Sequence, residues 1–243
     1  MKRVSILGVP FIHTTMKDFI YLLQERIVQK EKTFIVTANP EIVMKANEDE
    51  DYMNIIRKAN FVTADGIGVV KAAKLLNDPL PERVTGFDMM QELLKAADQH
   101  HHRVYLLGAE EAVLQGAMTK IVEEFPGVEI VGGHHGFFDW EQNDIASDIK
   151  RLEPDLVFVA LGLPRQEQWI AQHFALFEKG IFIGVGGCFD VLAGKVERAP
   201  EFWQKANLEW FYRLMKQPTR LKRMLALPHF VFKVYGQKLK GKK

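Results

Sequence analysis

Short apolar runs rich in Val, Ile and Phe alternate along the chain with segments in which apolar residues recur at helical spacing. This alternation predicts an α/β fold, Rossmann-like, with a mostly parallel sheet and helices on both faces. The run 155–161 is almost wholly apolar, which is typical of a strand buried on both faces of a sheet. The pattern predicts strands at 4–7, 33–37, 61–64, 103–107, 128–131, 155–161 and 181–185.

Side chains that can cap a helix mark several predicted helix starts. Thr15 with Asp18, and Thr85 with Asp88, have the spacing of a capping box. Pro40 suits the first position of a helix, because it has no N–H that the helix must satisfy. From these signals and the apolar spacing we predict helices from 15, at 41–47 and 51–59, from 66, from 85, and at 110–124, 143–152 and 164–177.

The pattern changes after about residue 198, where strand signals weaken and aromatic and aliphatic residues fall at helical spacing among basic ones. We therefore divide the chain into an α/β domain, residues 1–198, and a basic amphipathic helical appendage, residues 199–243. From position 201 onward there are eleven Lys and Arg and two acids, a charge of +9, whereas the remainder carries −8. A basic tail on an acidic body indicates an anionic partner, either nucleic acid or anionic lipid. The aromatic spacing favours a membrane surface, and helices docked on the body with a solvated basic face remain the alternative.

Composition places the chain among globular proteins, since 47% of its 243 residues are hydrophobic and can form a full core. The single cysteine, Cys188, excludes an internal disulfide and is expected to be a buried thiol. No window holds the ~20 uncharged apolar residues of a membrane span, and no signal peptide is evident. We expect a cytoplasmic protein.

Polar residues that follow predicted strands are the candidate site residues, because ligands of open parallel sheets bind beyond the carboxyl ends of the strands. Asp65 follows one strand at the start of a helix, where a negative charge is favoured. It is a candidate general base, and a simple helix cap is the alternative. Arg83 precedes a capped helix and can bind a diphosphate through two parallel hydrogen bonds; a surface ion pair is the alternative.

Several cofactor and metal sites are not predicted. The glycines at 184, 186 and 187 allow close backbone approach to a phosphate, but Phe189 stands where a dinucleotide fingerprint needs its third glycine. Walker, G-x-S-x-G and C-x-x-C sequences are missing. His100 to His102, and His134 with His135, are consecutive, so their side chains point in different directions and do not easily share a metal. We therefore expect no metal and no cofactor.

Five segments together resemble the WecG/TagA/CpsF family of glycosyltransferases, glycosyltransferase family 26. They occur in family order within residues 4–200 and read TANPEIV at 37–43, TADGIG at 63–68, ERVTGFD at 82–88, LGLPRQE at 161–167 and GVGGCFDVLAG at 184–194. Each segment alone is a weak signal, and five in register are a strong one. Arg165 replaces the commoner lysine of the fourth motif and keeps its charge.

The resemblance implies an inverting transfer from a UDP-sugar to a lipid-linked diphosphate sugar. In the branch that this chain resembles most, N-acetylmannosamine moves from UDP to the 4-hydroxyl of N-acetylglucosamine on undecaprenyl diphosphate, which forms the linkage unit of wall teichoic acid. Other branches use N-acetylmannosaminuronic acid or other hexoses for exopolysaccharides. The choice of branch rests on overall similarity, and no single residue decides it.

The resemblance also implies a role for each candidate residue. Asp65 is the base, and Arg83 offsets the charge that develops on the UDP leaving group, a task that a metal performs in other transferases. The expected substrate-binding residues are Thr37, Asn39 and Gln166 for sugar hydroxyls, Gly186, Gly187 and Asp190 for the nucleotide, and Arg213, Arg220 and Arg223 for the lipid diphosphate.

The expected partners are the UDP-sugar, the undecaprenyl-linked acceptor and an anionic membrane, with the protein peripheral on the inner face of the cell membrane. Nucleic acid is not an expected partner, and homo-oligomerisation is left open. Two other functions compete with this one. A nicotinamide-dependent oxidoreductase is disfavoured by the incomplete glycine fingerprint, and a non-catalytic membrane or nucleic-acid binder leaves the polar strand ends unexplained.

Overall fold

Six parallel strands form the central sheet in a computed structural model that describes residues 1–206, 208–216 and 226–240. Their order across the sheet is β4-β3-β8-β7-β5-β6. Two further strands, β1 and β2, pair antiparallel in a separate hairpin. The strands are β1 (Arg3–Ile6), β2 (Val9–Ile12), β3 (Thr33–Ala38), β4 (Phe61–Ala64), β5 (Arg103–Gly108), β6 (Glu129–His134), β7 (Leu156–Ala160) and β8 (Ile181–Gly184).

Helices connect and cover these strands. They are α1 (Met16–Val28), α2 (Pro40–Glu48), α3 (Glu50–Lys58), α4 (Ile67–Leu75), α5 (Gly86–His100), α6 (Glu111–Glu124), α7 (Ile145–Leu152), α8 (Arg165–His173), α9 (Cys188–Leu192), α10 (Glu201–Lys205), α11 (Glu209–Lys216) and α12 (Ala226–Lys240). The α/β fold class with a parallel sheet and additional C-terminal helices is confirmed.

Alternate residues of the central strands enter two separate cores, one on each face of the sheet. In β3, Phe34 and Val36 join one core and Ile35 joins the other. The first core includes α2, α3, α4, α7, α8 and α12, and the second includes α1, α5, α6 and α9. Because both faces are covered, the central strands are apolar at nearly every position, as the sequence of β7 predicted.

Side-chain caps hold three helices at their starts, and two of these caps, Thr15 and Thr85, were predicted. The side chains of Thr15 and Thr85 accept hydrogen bonds from the backbone N–H groups of Asp18 and Asp88, both at 3.1 Å. Asn39 caps α2, and Pro40 occupies the first turn as expected. These short-range signals therefore determine where the helices begin at the edge of the sheet that carries the candidate residues.

Some predicted boundaries are wrong. The prediction of one strand at 4–7 missed the β1–β2 hairpin, and β6 extends three residues further than predicted, through two glycines to His134. Helix α8 ends at His173, and a 3-10 turn, Phe174–Leu176, follows it. This turn places the Phe174 and Phe177 rings 5.9 and 4.5 Å from the Phe182 ring of β8, so core packing ends the helix early.

The last helix, α12, packs against α2 and α4. Phe230 and Val234 are buried in the first core. The Gln237 side chain accepts a hydrogen bond from the Leu7 N–H at 2.8 Å and donates one to the Ser5 carbonyl at 3.1 Å. Helix α12 is thus attached to the N-terminal hairpin. The division at residue 198 stays a prediction. None of the helices in the described part of the chain is long and apolar enough to cross a membrane.

Candidate active site

The carboxyl ends of β4, β3, β8 and β7 lie side by side, because these strands are parallel neighbours. Each of the four ends is followed by one of the predicted polar segments. The sheet order therefore brings together residues that are separated by more than 120 positions in the chain. This edge of the sheet is the candidate active site.

Asp65 is half-buried directly after β4. Its backbone N–H donates to the Ala38 carbonyl of β3 at 3.0 Å. The N-cap of α4 is Gly66, at φ +138°, and no side chain caps that helix. A Cβ added at Gly68 would lie 2.9 Å from Pro40 Cγ, so the start of α4 packs directly on the start of α2. Asp65 therefore precedes the cap position of α4, which the competing interpretation gave to it.

Arg83 lies beside Asp65, because the backbone N–H of the next residue, Val84, donates to the Ala64 carbonyl at 3.0 Å. Its Nη1 lies 3.4 Å from Oε2 of Glu209 in α11. The two side chains are only 20% and 13% exposed. An ion pair is therefore present, as the alternative interpretation expected. It is largely buried, however, and it joins the candidate site to the C-terminal segment.

A second contact, between the first turn of α5 and Arg198 just before the C-terminal segment, lies close to Arg83 in the chain. The Asp88 carboxylate accepts a hydrogen bond from the Thr85 hydroxyl at 2.7 Å and pairs with the Arg198 guanidinium. That guanidinium also lies over the Phe87 ring, 4.6 Å from its centroid. The start of α5 and the segment that leads to α10 are held together beside Arg83.

Thr37 and Asn39 both lie at the carboxyl end of β3. The buried Thr37 hydroxyl donates to the Gly184 carbonyl of β8 at 2.8 Å, and the Asn39 amide oxygen accepts from the Ile42 N–H at 3.0 Å. A Cβ added at Gly86 would lie 3.2 Å from the Thr37 hydroxyl oxygen, so α5 packs closely there. These polar atoms support the shape of the site, and direct contact with a sugar stays a prediction.

Gln166 is buried in the first turn of α8, and both ends of its amide are hydrogen-bonded. Its Oε1 accepts from the Gly186 N–H at 3.0 Å, and its Nε2 donates to Oε1 of Glu167 at 2.7 Å. The side chain connects the end of β7 to the turn after β8. Contact between Gln166 and a sugar hydroxyl stays a prediction.

Three residues predicted to bind the nucleotide lie just after β8. Gly186 and Gly187 form the turn that leads to α9, and Asp190 lies in the first turn of α9. Gly186 has a φ of +54°, in the left-handed region. A Cβ built there would meet nothing within 4 Å. This open space leaves room for a ligand beside the turn, while the Gly186 N–H itself is bonded to Gln166. Asp190 is half-buried, and Cys188 is a buried free thiol, as expected.

The three predicted arginines of the C-terminal segment are described only in part. Arg213 lies in α11, and its side chain is outside the described part of the chain. Arg220 and Arg223 lie outside the described residues altogether. Their binding of a lipid diphosphate stays a prediction. Within residues 1–206, 208–216 and 226–240, no group of three or more His, Cys, Asp or Glu side chains is placed to hold a metal ion.

Sequence reasoning did not assign a role to Glu209, Glu167 or Arg198. Glu209 had a usable signal, since it is one of two acids in a segment with eleven basic residues. Glu167 follows Gln166 directly and was expected to share the polar strand end, yet its side chain has no exposed surface. Nothing in the local pattern distinguished Arg198 from a solvated basic residue.

Burial raises the pKa of the Glu167 carboxyl from its ordinary value of 4.5 to about 7, and the hydrogen bond from Gln166 opposes that shift. The Tyr52 ring packs nearby, and burial together with the Glu167 charge raises the pKa of its hydroxyl. Neither the Tyr52 hydroxyl nor Oε2 of Glu167 has a partner in good hydrogen-bond geometry among the described residues. A weaker hydrogen-bond interaction between the two groups adds to the rise in the pKa of Tyr52 and opposes the rise in the pKa of Glu167.

The buried Glu167 predicts a pH-dependent stability. Its folded-state pKa lies above 4.5, so the folded protein binds more protons than the unfolded chain between about pH 4.5 and 7. The contribution of Glu167 to the free energy of unfolding therefore falls as the pH rises through that window. Between pH 5 and pH 8, the free energy of unfolding of the wild-type protein should fall by about 2 to 3 kcal/mol more than that of Glu167→Gln. Urea unfolding of both proteins at both pH values measures this. An equal pH dependence in the two proteins would contradict the prediction.

The chain matches the family model described as "Glycosyl transferase WecG/TagA/CpsF family" over residues 4–243. It is similar to an N-acetylglucosaminyldiphosphoundecaprenol N-acetyl-beta-D-mannosaminyltransferase of Bacillus subtilis (strain 168), with 41% identity over 244 residues, 100% of this chain and 94% of the relative. A protein with the same name from Staphylococcus aureus (strain MW2) is 39% identical over 99% of this chain and 95% of its own length. With the predicted motifs gathered at one edge of a parallel sheet, the chain belongs to the WecG/TagA/CpsF family of glycosyltransferases.

Proposed function

We propose that this protein transfers N-acetylmannosamine from UDP-N-acetylmannosamine to the 4-hydroxyl of N-acetylglucosamine on undecaprenyl diphosphate. The names of relatives at 39–41% identity over nearly the whole chain support this substrate pair. The observation that carries the proposal is the position of Asp65 and Arg83 at one strand end. The hydrogen bond between Val84 and Ala64 brings these two residues together.

The reaction is a single displacement. The acceptor 4-hydroxyl oxygen attacks C1 of the donor sugar, the bond from C1 to the diphosphate oxygen breaks, and UDP leaves. Asp65 accepts the proton of the attacking hydroxyl, and Arg83 offsets the negative charge on the departing diphosphate. One displacement inverts the configuration at C1, which agrees with the beta linkage in the relatives' name.

The nucleotide binds beside the turn after β8. Gly186 and Gly187 leave room for a diphosphate or a ribose to approach the backbone, and the Asp190 carboxylate accepts a hydrogen bond from the uracil or ribose. Thr37 and Gln166 tie the ends of β3 and β7 to this turn through Gly184 and Gly186. A donor in this position lies over the middle of the sheet edge, between Asp65 and α8.

The test of donor binding is a thermal unfolding series with UDP, NAD and RNA. A ligand that binds the native state raises its stability, by about 2.7 kcal/mol when its concentration is a hundred times its Kd. We expect UDP alone to raise the melting temperature, with EDTA making no difference. Stabilisation by NAD in place of UDP would support an oxidoreductase, and loss of the UDP effect in EDTA would contradict the metal-free mechanism.

The acceptor has a membrane-bound lipid, and the C-terminal segment is suited to meet it at an anionic surface. That segment carries a charge of +9. Several large apolar side chains of α10 and α11 are exposed, among them Phe202 at 74% and Trp210 at 42%. The ion pair between Arg83 and Glu209 of α11 links this surface to the candidate site. We infer that the protein acts as a peripheral enzyme of the inner membrane face, with Arg213, Arg220 and Arg223 near the lipid diphosphate.

Replacing Phe202 and Trp210 together with Ser should weaken binding to phosphatidylglycerol vesicles about ten-fold or more. Burying one such side chain contributes about 1.5–3 kcal/mol, and salt does not screen this contribution. Co-sedimentation at high salt measures it, with Val28→Ser as a matched exposed apolar control outside the segment. Substitution is preferable to deletion, because removing α12 uncovers the contacts of Phe230 and Val234. Vesicle binding equal to that of Val28→Ser would contradict the membrane-facing role.

A further inference from the structure

Glu167 is a buried carboxyl group that the proposed reaction does not use. Its side chain has no exposed surface, so it cannot touch either substrate where it lies. A buried carboxylate costs free energy unless hydrogen bonds compensate for its lost hydration. One compensating bond is present, the 2.7 Å contact from the Gln166 amide nitrogen.

Gln166 also contacts the backbone of the candidate site. Its amide oxygen accepts the 3.0 Å hydrogen bond from the Gly186 N–H, in the turn after β8. The amide also packs against the strand itself, since a Cβ added at Gly184 would lie 2.6 Å from Gln166 Nε2. The carboxyl of Glu167, the amide of Gln166 and the backbone of Gly186 therefore form one continuous chain of contacts.

The two neighbours of the Gln166 amide select the same orientation. A side-chain amide has nearly the same shape when it is rotated by 180°, but its donor and acceptor ends exchange places. In the reversed orientation its NH₂ group would face the Gly186 N–H, and its oxygen would face a carboxylate that can only accept. Glu167 thus holds the acceptor end of Gln166 toward Gly186.

We propose that Glu167 is a positioning residue, which acts through Gln166 to hold the Gly186 amide and the turn after β8 in the shape that receives the nucleotide. This inference rests on the proposed function in its assignment of Gly186 to the nucleotide site. The hydrogen-bond chain itself requires no ligand. Leaving a buried polar group without its partner costs more free energy than a typical hydrogen bond contributes. Loss of the Glu167 acceptor should therefore shift the Gln166 amide, and that shift should weaken the hydrogen bond from the Gly186 N–H.

The test compares three variants at pH 8. Glu167→Met keeps approximately the length of the side chain and removes its acceptor. Glu167→Gln supplies an amide oxygen that can accept from Gln166 again, and should restore the contact. Tyr52→Phe removes the buried hydroxyl that interacts with the Glu167 carboxyl group and leaves the Gln166 side chain unchanged. Hydrogen exchange of the Gly186 amide without ligand is the first measurement, and the Kd for UDP is the second.

We expect Glu167→Met to accelerate exchange at Gly186 about ten-fold and to leave Ile183 in β8 protected. The Kd for UDP should rise by a similar factor, while Glu167→Gln and Tyr52→Phe remain near wild type. If Glu167→Met does not fold, the same measurements are made on Glu167→Asp. Its shorter side chain moves the carboxylate away from Gln166. Unchanged Gly186 exchange in the folded variant would overturn the inference. Failure of the wild-type protein to bind UDP would instead overturn the proposed function, because the exchange result does not depend on UDP.

Discussion

Asp65→Asn should reduce turnover by about 10²–10⁴-fold, the usual loss when a general base is removed, while the Kd for UDP stays near the wild-type value. Asn has almost the same size and can keep the neighbouring contacts, but it cannot accept the proton of the acceptor hydroxyl. Asp65 lies one residue before Gly66, the N-cap of α4, so the substitution leaves the cap position itself unchanged.

A matched control for this substitution lies at the opposite edge of the sheet. The Asp98 carboxylate accepts a hydrogen bond from the Gly127 N–H near the amino end of β6. Asp98→Asn makes the same chemical change and leaves an oxygen that can still accept that bond. Initial rates with saturating UDP-sugar, together with UDP titrations, compare the two variants. Equal turnover in Asp65→Asn and Asp98→Asn would exclude Asp65 as the base.

Arg83→Ala should weaken UDP binding and also reduce turnover about 10²–10³-fold, the loss typical of removing one donor that stabilises a developing negative charge. Unlike the Asp65 variant, it should change both quantities, because the guanidinium contacts the diphosphate in the bound donor and in the transition state. Arg83→Lys should recover part of the activity, since it keeps the charge and loses the paired hydrogen bonds.

The ion pair with Glu209 adds a structural effect that has to be measured separately. Arg83→Ala removes an ion-pair partner from a carboxylate that is 13% exposed, so the melting temperature should fall together with UDP affinity. Glu209→Gln is the matched control, because it weakens the same ion pair and keeps the guanidinium. If Arg83→Ala had unchanged UDP affinity and turnover, the role of Arg83 would be structural only.

Local sequence signals predicted much of the fold because several elements depend on short-range chemistry. The caps at Thr15, Asn39 and Thr85 each use atoms within three residues of the helix start. The missed β1–β2 hairpin shows the limit of such signals. Its turn has Leu7 and Gly8 at φ values of +50° and +83°. A leucine in that conformation does not provide the Asn-Gly or Asp-Gly signal that marks such turns.

The sequence predicted which strand ends form the candidate site, but it did not predict the side-chain contacts within that site. Parallel strands place their carboxyl ends at one edge, so Asp65 and Gly186 were expected to share a cleft. The pair of Arg83 with Glu209, 126 positions away, depends on how α11 packs, and no local pattern encodes that contact. The same holds for Gln166. It was expected to contact a sugar hydroxyl at a strand end, whereas packing of α8 on β8 buries it.

The proposed transfer reaction is tested most directly by the product that the purified full-length protein makes in EDTA. The substrates are UDP-N-acetylmannosamine and N-acetylglucosamine linked to undecaprenyl diphosphate, and mass spectrometry and NMR identify the lipid product. We expect one added N-acetylmannosamine residue, beta-linked to the 4-hydroxyl, with release of one UDP for each product formed. An alpha linkage, a strict requirement for a divalent metal, or transfer only from a different UDP-sugar would contradict it.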